Sequence, residues 1–156
     1  MGFRDDLLAL DDDALAALCE VEHTRGSGPG GQKRNKTSSA VRITHVGTGF
    51  SARAEAERSQ RDNRRAALKR IRWQLALGLR DTPAPLTLRS MNARVPLEAA
   101  KVIDHLDAHA YSLRDTAATL GVTTGALSTW ILSSDDVLTH VNQSRKSRNL
   151  RPLRGE

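Results

Sequence analysis

The sequence predicts an α+β fold, with short strands and one long helix followed by a small helical unit. Three observations predict it. Residues 19–24 and 39–54 hold runs that alternate apolar and polar side chains, the period-2 pattern of half-buried strands. Residues 58–79 carry apolar side chains at Ala67, Leu68, Ile71, Leu75 and Leu79, near the 3.6-residue period of a helix, with arginines on the other face. Pro83, Pro85 and Pro96 then set this part off from residues 97–131, which read as helices.

The elements follow in order. Residues 10–18 (L-D-D-D-A-L-A-A-L) open with aspartates, which cap free backbone N–H groups and complement the helix dipole, so a short helix is expected. Residues 19–24 (C-E-V-E-H-T) read as a strand. Residues 39–45 (S-A-V-R-I-T-H) read as a second strand, with Val41 and Ile43 on one side and Arg42 and Thr44 on the other. Gly47, Thr48 and Gly49 make a turn from which residues 50–54 return antiparallel. The long helix spans 58–79, and 81–96 is a proline-containing linker with a brief extended piece at 86–88. Residues 97–110 are helical. Within 112–131 a short helix with Ala117 inward, a break at Gly121, and a second helix capped by Thr123 or Thr124 have helix-turn-helix phrasing. Residues 142–156 read as a basic tail.

Composition narrows the function classes. The 156 residues suit one domain, or one small domain with an appendage, and the net charge of +6 suggests a polyanionic partner. That charge is unevenly placed. Residues 1–22 hold Arg4 against seven acids, whereas residues 23–73 hold thirteen Lys or Arg against Glu55, Glu57 and Asp62. Arg145, Lys146, Arg148, Arg151 and Arg154 add a cationic end. Cys19 is the one cysteine, so no intrachain disulfide forms, which suits a reducing compartment. No apolar run approaches the roughly 18 residues of a membrane helix, and the acidic start lacks a signal peptide's charged and apolar regions. A cytoplasmic protein with no membrane partner is expected.

The most informative stretch is residues 25–36, R-G-S-G-P-G-G-Q-K-R-N-K. Glycine reaches backbone angles closed to other residues and lets a backbone approach a ligand closely. A long loop inside a small domain is commonly functional or disordered. Here the glycines end on Gln32, and Arg25, Lys33, Arg34 and Lys36 flank them, a composition suited to a phosphate-lined environment. The arginines of the long helix, Arg58, Arg61, Arg64 and Arg65, have few acids nearby and suit contacts with an RNA backbone.

These residues resemble the catalytic domain of class I peptide-chain release factors. Ser27-Gly28-Pro29-Gly30-Gly31-Gln32 looks like that family's GGQ loop, with Asn35, residues 39–45, Thr48-Gly49, residues 57–60, Asn63 and Ala67 in register around it. The resemblance covers residues 15–77 and implies the release-factor α+β fold, a small mixed sheet with a long helix. It implies a ribosome-dependent peptidyl-tRNA hydrolase, with Gly30, Gly31 and Gln32 as the catalytic residues. Arg25, Lys33, Arg34, Asn35, Lys36, the four arginines of the long helix, and Arg145, Lys146, Arg148 and Arg151 are the expected RNA contacts. Gln32 is the expected site of side-chain methylation, which brings in a glutamine methyltransferase as a partner. The other expected partners are the large-subunit peptidyl-transferase centre with its rRNA, peptidyl-tRNA and the mRNA channel. No cofactor or metal is expected, and the chain is expected to act as a monomer.

Two departures qualify the resemblance. Lys33-Arg34 replaces the His-Val pair usual after the motif. The chain is also short for the stop-codon-reading domains of full release factors, so it resembles codon-independent members such as the alternative ribosome-rescue factor B. The domain reading is a catalytic domain at 1–80, a linker at 81–96, a helical unit at 97–141 and a basic tail at 142–156. The alternative function is a nucleic-acid- or ribosome-binding module that uses the helix-turn-helix-like segment without hydrolysis. That segment holds Arg114 as its one cation, so packing alone is also open.

The remaining candidates read as structural. His105 and His109 have the i, i+4 spacing of a metal clamp but lack a third ligand and a glutamate between them. Cys19 is expected to be a buried strand residue, and Trp73 and Trp130 to belong to the core.

Overall fold

The structure, a computed structural model, describes residues 2–24 and 40–154. Its elements are α1 (Phe3–Ala9), α2 (Asp12–Ala17), β1 (Cys19–Thr24), β2 (Ala40–His45), β3 (Ser51–Ala54) and α3 (Gln60–Gly78), then α4 (Pro96–Ala108), α5 (Leu113–Thr119), α6 (Thr124–Leu132) and α7 (Asp135–Ser147). A single 3-10 turn stands at Leu88–Ser90, where a brief extended piece was expected over 86–88. The chain divides into two compact units, Asp6–Leu75, and Met1–Asp5 with Ala76–Glu156. Among the described residues no helix is long and apolar enough to cross a membrane.

In the unit Asp6–Leu75 the strands follow the order β1-β2-β3, and both pairs are antiparallel. The expected mixed sheet is therefore corrected. A parallel pair needs a crossover of about a dozen residues or more, and only residues 46–50 separate β2 from β3. The turn is closed by His45 N–H to Phe50 O (2.8 Å) and Gly49 N–H to His45 O (2.8 Å), with Gly49 at φ 72°. Few residues other than glycine adopt that angle.

Register places Val21, Ile43 and Ala52 level on one face, and Glu22, Arg42 and Arg53 on the other. The apolar face is dry, since Val41, Ile43, Ala52 and Ala54 are all buried. Helix α3 turns a stripe of Asn63, Ala67, Ile71 and Leu75 inward at four-residue steps, and these four are fully buried. Arg70 from the same helix donates to the carbonyl of Arg53 on the edge strand, occupying a backbone group that would otherwise be open to another chain. Helix α2 starts as expected, with the Asp11 carboxylate accepting from Ala14 N–H at 2.7 Å.

The second unit is helical, and three of its helices begin on hydroxyl caps, whereas α4 starts after Val95 without a side-chain cap and has Pro96 in its first turn. Ser112, Thr123 and Ser134 accept from the N–H groups of Asp115, Ala126 and Val137. Three of the helices end in left-handed residues: Ala110 (φ 49°) after α4, Gly121 (φ 64°) after α5 and Asn149 (φ 57°) after α7. Each end is closed by a bond from the residue after it, namely Tyr111 N–H to Leu106 O, Val122 N–H to Ala117 O and Leu150 N–H to Arg145 O. The break falls at Gly121 as expected, and of the two threonines offered as the cap it is Thr123 that serves.

Tyr111 is the centre of this unit. It is 2% exposed, and its hydroxyl lies 2.9 Å from His140 Nε2. Burial lowers the pKa of His140 to about 4, so the ring is neutral at pH 7. The Arg148 guanidinium sits 4.7 Å from the Tyr111 ring centroid, and Arg145 donates to the Tyr111 carbonyl at 2.6 Å. The start of the expected tail is thus corrected: 142–147 are the second half of α7. Asp135 and Asp136 in its first turn and Arg145 and Lys146 in its last favour that helix.

An ion pair is buried in the same unit. Arg4 donates to both carboxylate oxygens of Asp104 (2.7 and 2.6 Å), each side chain is 3% exposed, and Asp81 N–H and Arg80 add to the carboxylate. Breaking such a pair from one side leaves an uncompensated charge, at a cost of about 3–5 kcal/mol. Asp5, 2.7 Å from Arg4, offsets part of this. Chemical denaturation of Asp104→Asn is expected to show a loss of roughly 3 kcal/mol.

Candidate functional site

The site is built on the far end of the β1–β2 pair. Strand β1 ends at Thr24 and β2 begins at Ala40, and these two residues are direct partners in the register. Residues 25–39 leave and return at paired positions. They include the expected catalytic Gly30, Gly31 and Gln32 and the expected RNA contacts Arg25, Lys33, Arg34, Asn35 and Lys36, all of which lie outside the described residues. Strand β3 ends at Ala54, opposite Val41 and one residue from Ala40. The chain therefore leaves β3 at the same end of the sheet, and residues 55–59 lead from there into α3.

Asn63 fixes that passage. Its side chain is fully buried, accepts from Glu57 N–H at 3.0 Å and donates to Glu57 O at 2.9 Å. A polar side chain in an apolar stripe needs such partners, since a buried unsatisfied group costs about 1–3 kcal/mol. The position was legible as the one polar residue in the four-residue stripe of α3.

Of the cations assigned from sequence, Arg58, Arg61, Arg64 and Arg65 are all exposed, and none makes an ion pair among the described residues. Arg65, Lys69 and Arg72 share a surface hollow with Asp12, Glu57 and Asp62, so that side of the helix is charge-balanced. The C-terminal cations divide differently. Arg145 donates to the carbonyls of Tyr111 and Arg151, and Arg148 reaches Ser144 O (3.0 Å) and Asp107 (3.4 Å). Lys146 and Arg151 are exposed, with no ion pair among the described residues. Nothing local in the sequence marked Arg145 as a clamp on Tyr111, because its partner stands 34 residues away.

The other candidates are engaged elsewhere. The His105 ring bonds to Ala84 O and the His109 ring to Thr119 Oγ1, so the two do not converge. Among the described residues no group of three or more His, Cys, Asp or Glu is placed to hold a metal. Cys19 is half-buried rather than buried, donates to Leu15 O at 3.2 Å, and has its thiol pKa raised by burial, the opposite of nucleophile activation. Trp73 is buried, while Trp130 is half-buried and donates to Met91 O at 2.8 Å.

Fold and sequence together define a small α+β domain with paired strand ends at Thr24 and Ala40, a glycine-rich, cation-flanked sequence between them, and an arginine-bearing helix. The RF-1 domain model matches residues 14–94, more than half of the chain, and the chain belongs to this family, whose domain is that of the class I release factors. It is 42% identical over 76 residues to a "Peptide chain release factor homolog" of Escherichia coli, a match covering 49% of this chain and 37% of that protein. Peptide chain release factor 2 of Lactiplantibacillus plantarum is 54% identical over 56 residues, 36% of this chain and 15% of that one. Peptide chain release factor 1 of Xylella fastidiosa is 50% identical over 56 residues, 36% of this chain and 16% of that one. The matched region thus spans well under half the length of each of these relatives.

Asn63→Ala removes both bonds to Glu57 at once. Hydrogen exchange is expected to show the Glu57 amide losing its protection, and denaturation a loss of about 2–4 kcal/mol from the two orphaned backbone groups and the vacated volume.

Proposed function

We propose that this chain frees nascent peptides from ribosomes by hydrolysing the peptidyl-tRNA ester through loop 25–39, without reading a stop codon. The observation that carries the reading is the release-factor family match over residues 14–94, which contains the whole Gly30-Gly31-Gln32 segment. The pairing of Thr24 with Ala40 supports it, because it offers the loop a fixed base.

In this reading water attacks the ester carbonyl carbon, and negative charge develops on its oxygen. The backbone N–H of Gln32 donates to that oxygen, and the flanking Gly30 and Gly31 allow the turn that aims it. The Gln32 side chain positions the water. The tetrahedral intermediate then collapses to the free peptide acid and the terminal ribose hydroxyl of the tRNA. No strong base is needed from the protein, since the catalysis is positioning plus charge stabilisation. Methylation of Gln32 by a glutamine methyltransferase would act on that same positioning group.

The cations, with Asn35, divide the remaining work. Arg25, Lys33, Arg34, Asn35 and Lys36 meet rRNA in the peptidyl-transferase centre, and Arg58, Arg61, Arg64 and Arg65 hold the domain there through backbone phosphates. Independence from a stop codon rests on the segment after the family match. It belongs to the helical unit of Met1–Asp5 and Ala76–Glu156 and carries exposed Lys146, Arg151 and Arg154, suited to the anionic mRNA channel. The protein works as a monomer in the cytoplasm, without a cofactor. A rival reading makes the segment 112–131 a groove-reading module, but α6 carries no charged residue, which does not favour it.

The test is release of labelled peptide from purified ribosomes carrying peptidyl-tRNA, on an mRNA truncated at the P site and on one extending well past the A site. Wild type is expected to release peptide mainly on the truncated template. Gly31→Ala should lose about 10²–10³ in rate, the usual cost of one misplaced oxyanion donor. Ribosome binding without release on either template would overturn the hydrolase reading.

A further inference from the structure

The C-terminal unit contains a groove that no step above uses. Residues 86–91 and the turn into α6 enclose about 660 Å³, within the roughly 300–1,000 Å³ range of small-ligand sites. Trp130 is one of its lining residues. Its N–H is spent on Met91 O at 2.8 Å, which fixes the orientation of the indole. The segment that accepts this bond also carries Arg89, a lining residue with an exposed side chain and no ion pair or hydrogen bond among the described residues.

We propose that this groove holds one nucleotide of a single-stranded nucleic acid, with the base against Trp130 and the phosphate on Arg89. Charge selects the ligand class, because Arg89 is the one charged residue of the lining and no carboxylate joins it. Arg94 donates to the carbonyl of Ser133, a lining residue, through Nε alone, so a second guanidinium stands at the rim with donors to spare. The required ligand is an anion with a flat apolar body.

Hydroxyls complete the fit. Thr87 and Thr129 line the groove with no side-chain partner among the described residues, and Thr123 accepts from Ala126 N–H while its own proton remains free to donate. Such groups match the polar edges of a base, and an aromatic wall with a nearby cation is the usual platform for unpaired bases. Duplex reading is a poorer match, since the exposed side of α6 offers Thr124, Gly125 and Thr129 and no cation.

The test needs no ribosome, so its outcome is separate from that of the release reading. In the full chain carrying Trp73→Phe, Trp130 is the sole tryptophan and reports on the groove alone. A riboadenylate hexamer is titrated while Trp130 emission is followed, with the deoxy hexamer alongside to identify which sugar is preferred. Saturable quenching is expected, weakened at least tenfold by Arg89→Glu and by Ala126→Phe, which fills the groove without altering charge. Arg114→Glu makes the same charge change outside the lining and should weaken quenching much less. Binding by anisotropy without quenching of Trp130, or equal losses in Arg89→Glu and Arg114→Glu, would overturn the proposal. So would quenching by an acidic aromatic peptide but by neither hexamer.

Discussion

The candidate site depends on one backbone constraint, the antiparallel register that sets Thr24 opposite Ala40. The insertion between them is long, but the entropy of closing a loop rises only slowly with its length, by about 0.6 kcal/mol per doubling. What such an insertion needs is a base that does not fray. The ladder from Cys19–His45 to Thr24–Ala40 provides it, and it is stabilised by the burial of Val41 and Ile43 beneath it. Strand β3 pairs with β2 up to Ala54, beside the same end. A one-residue slip would turn Arg42 inward and Ile43 out, so the apolar face enforces the register that pairs Thr24 with Ala40.

The same end of the sheet is tied to the cationic helix through one side chain. Asn63 sits where a helix core would ordinarily place an aliphatic residue, and its two bonds to Glu57 hold the passage from β3 to α3 in one conformation. Arg58 and Arg61 flank this fixed point in sequence. The charged surface is therefore set by a buried polar contact rather than by packing alone, and buried polar contacts are geometrically selective.

Much of this was legible in sequence, because the signals were local. Alternation over 19–24 and 39–45, the aspartate cap at Asp11 and the glycine turn at Gly49 each act within a few residues. Signals from distant partners were not legible. Helix α1 has a buried arginine on its inner side, which makes sense only once Asp104 is known to meet it. The second half of helix α7, from residue 142, reads as a tail because cations dominate its composition, while Tyr111 and Asp107, which engage Arg145 and Arg148, stand far back in the chain. The mixed sheet came from the family resemblance, whereas the short turn between β2 and β3 already required an antiparallel pair. Of the site, the spacing of cations on α3 could be read directly. The intrachain engagement of Arg145 and Arg148 could not.

The central claim is that a loop fixed at Thr24 and Ala40 delivers Gln32 to the peptidyl-tRNA ester. A cryo-EM structure of the chain on a ribosome with P-site peptidyl-tRNA and an empty A site tests it most directly. The expected result places Gln32 N–H about 3 Å from the ester carbonyl oxygen, hydrogen-bonding distance, with the β1–β2 ladder intact to its last pair. A bound chain whose loop lies outside the peptidyl-transferase centre would contradict it.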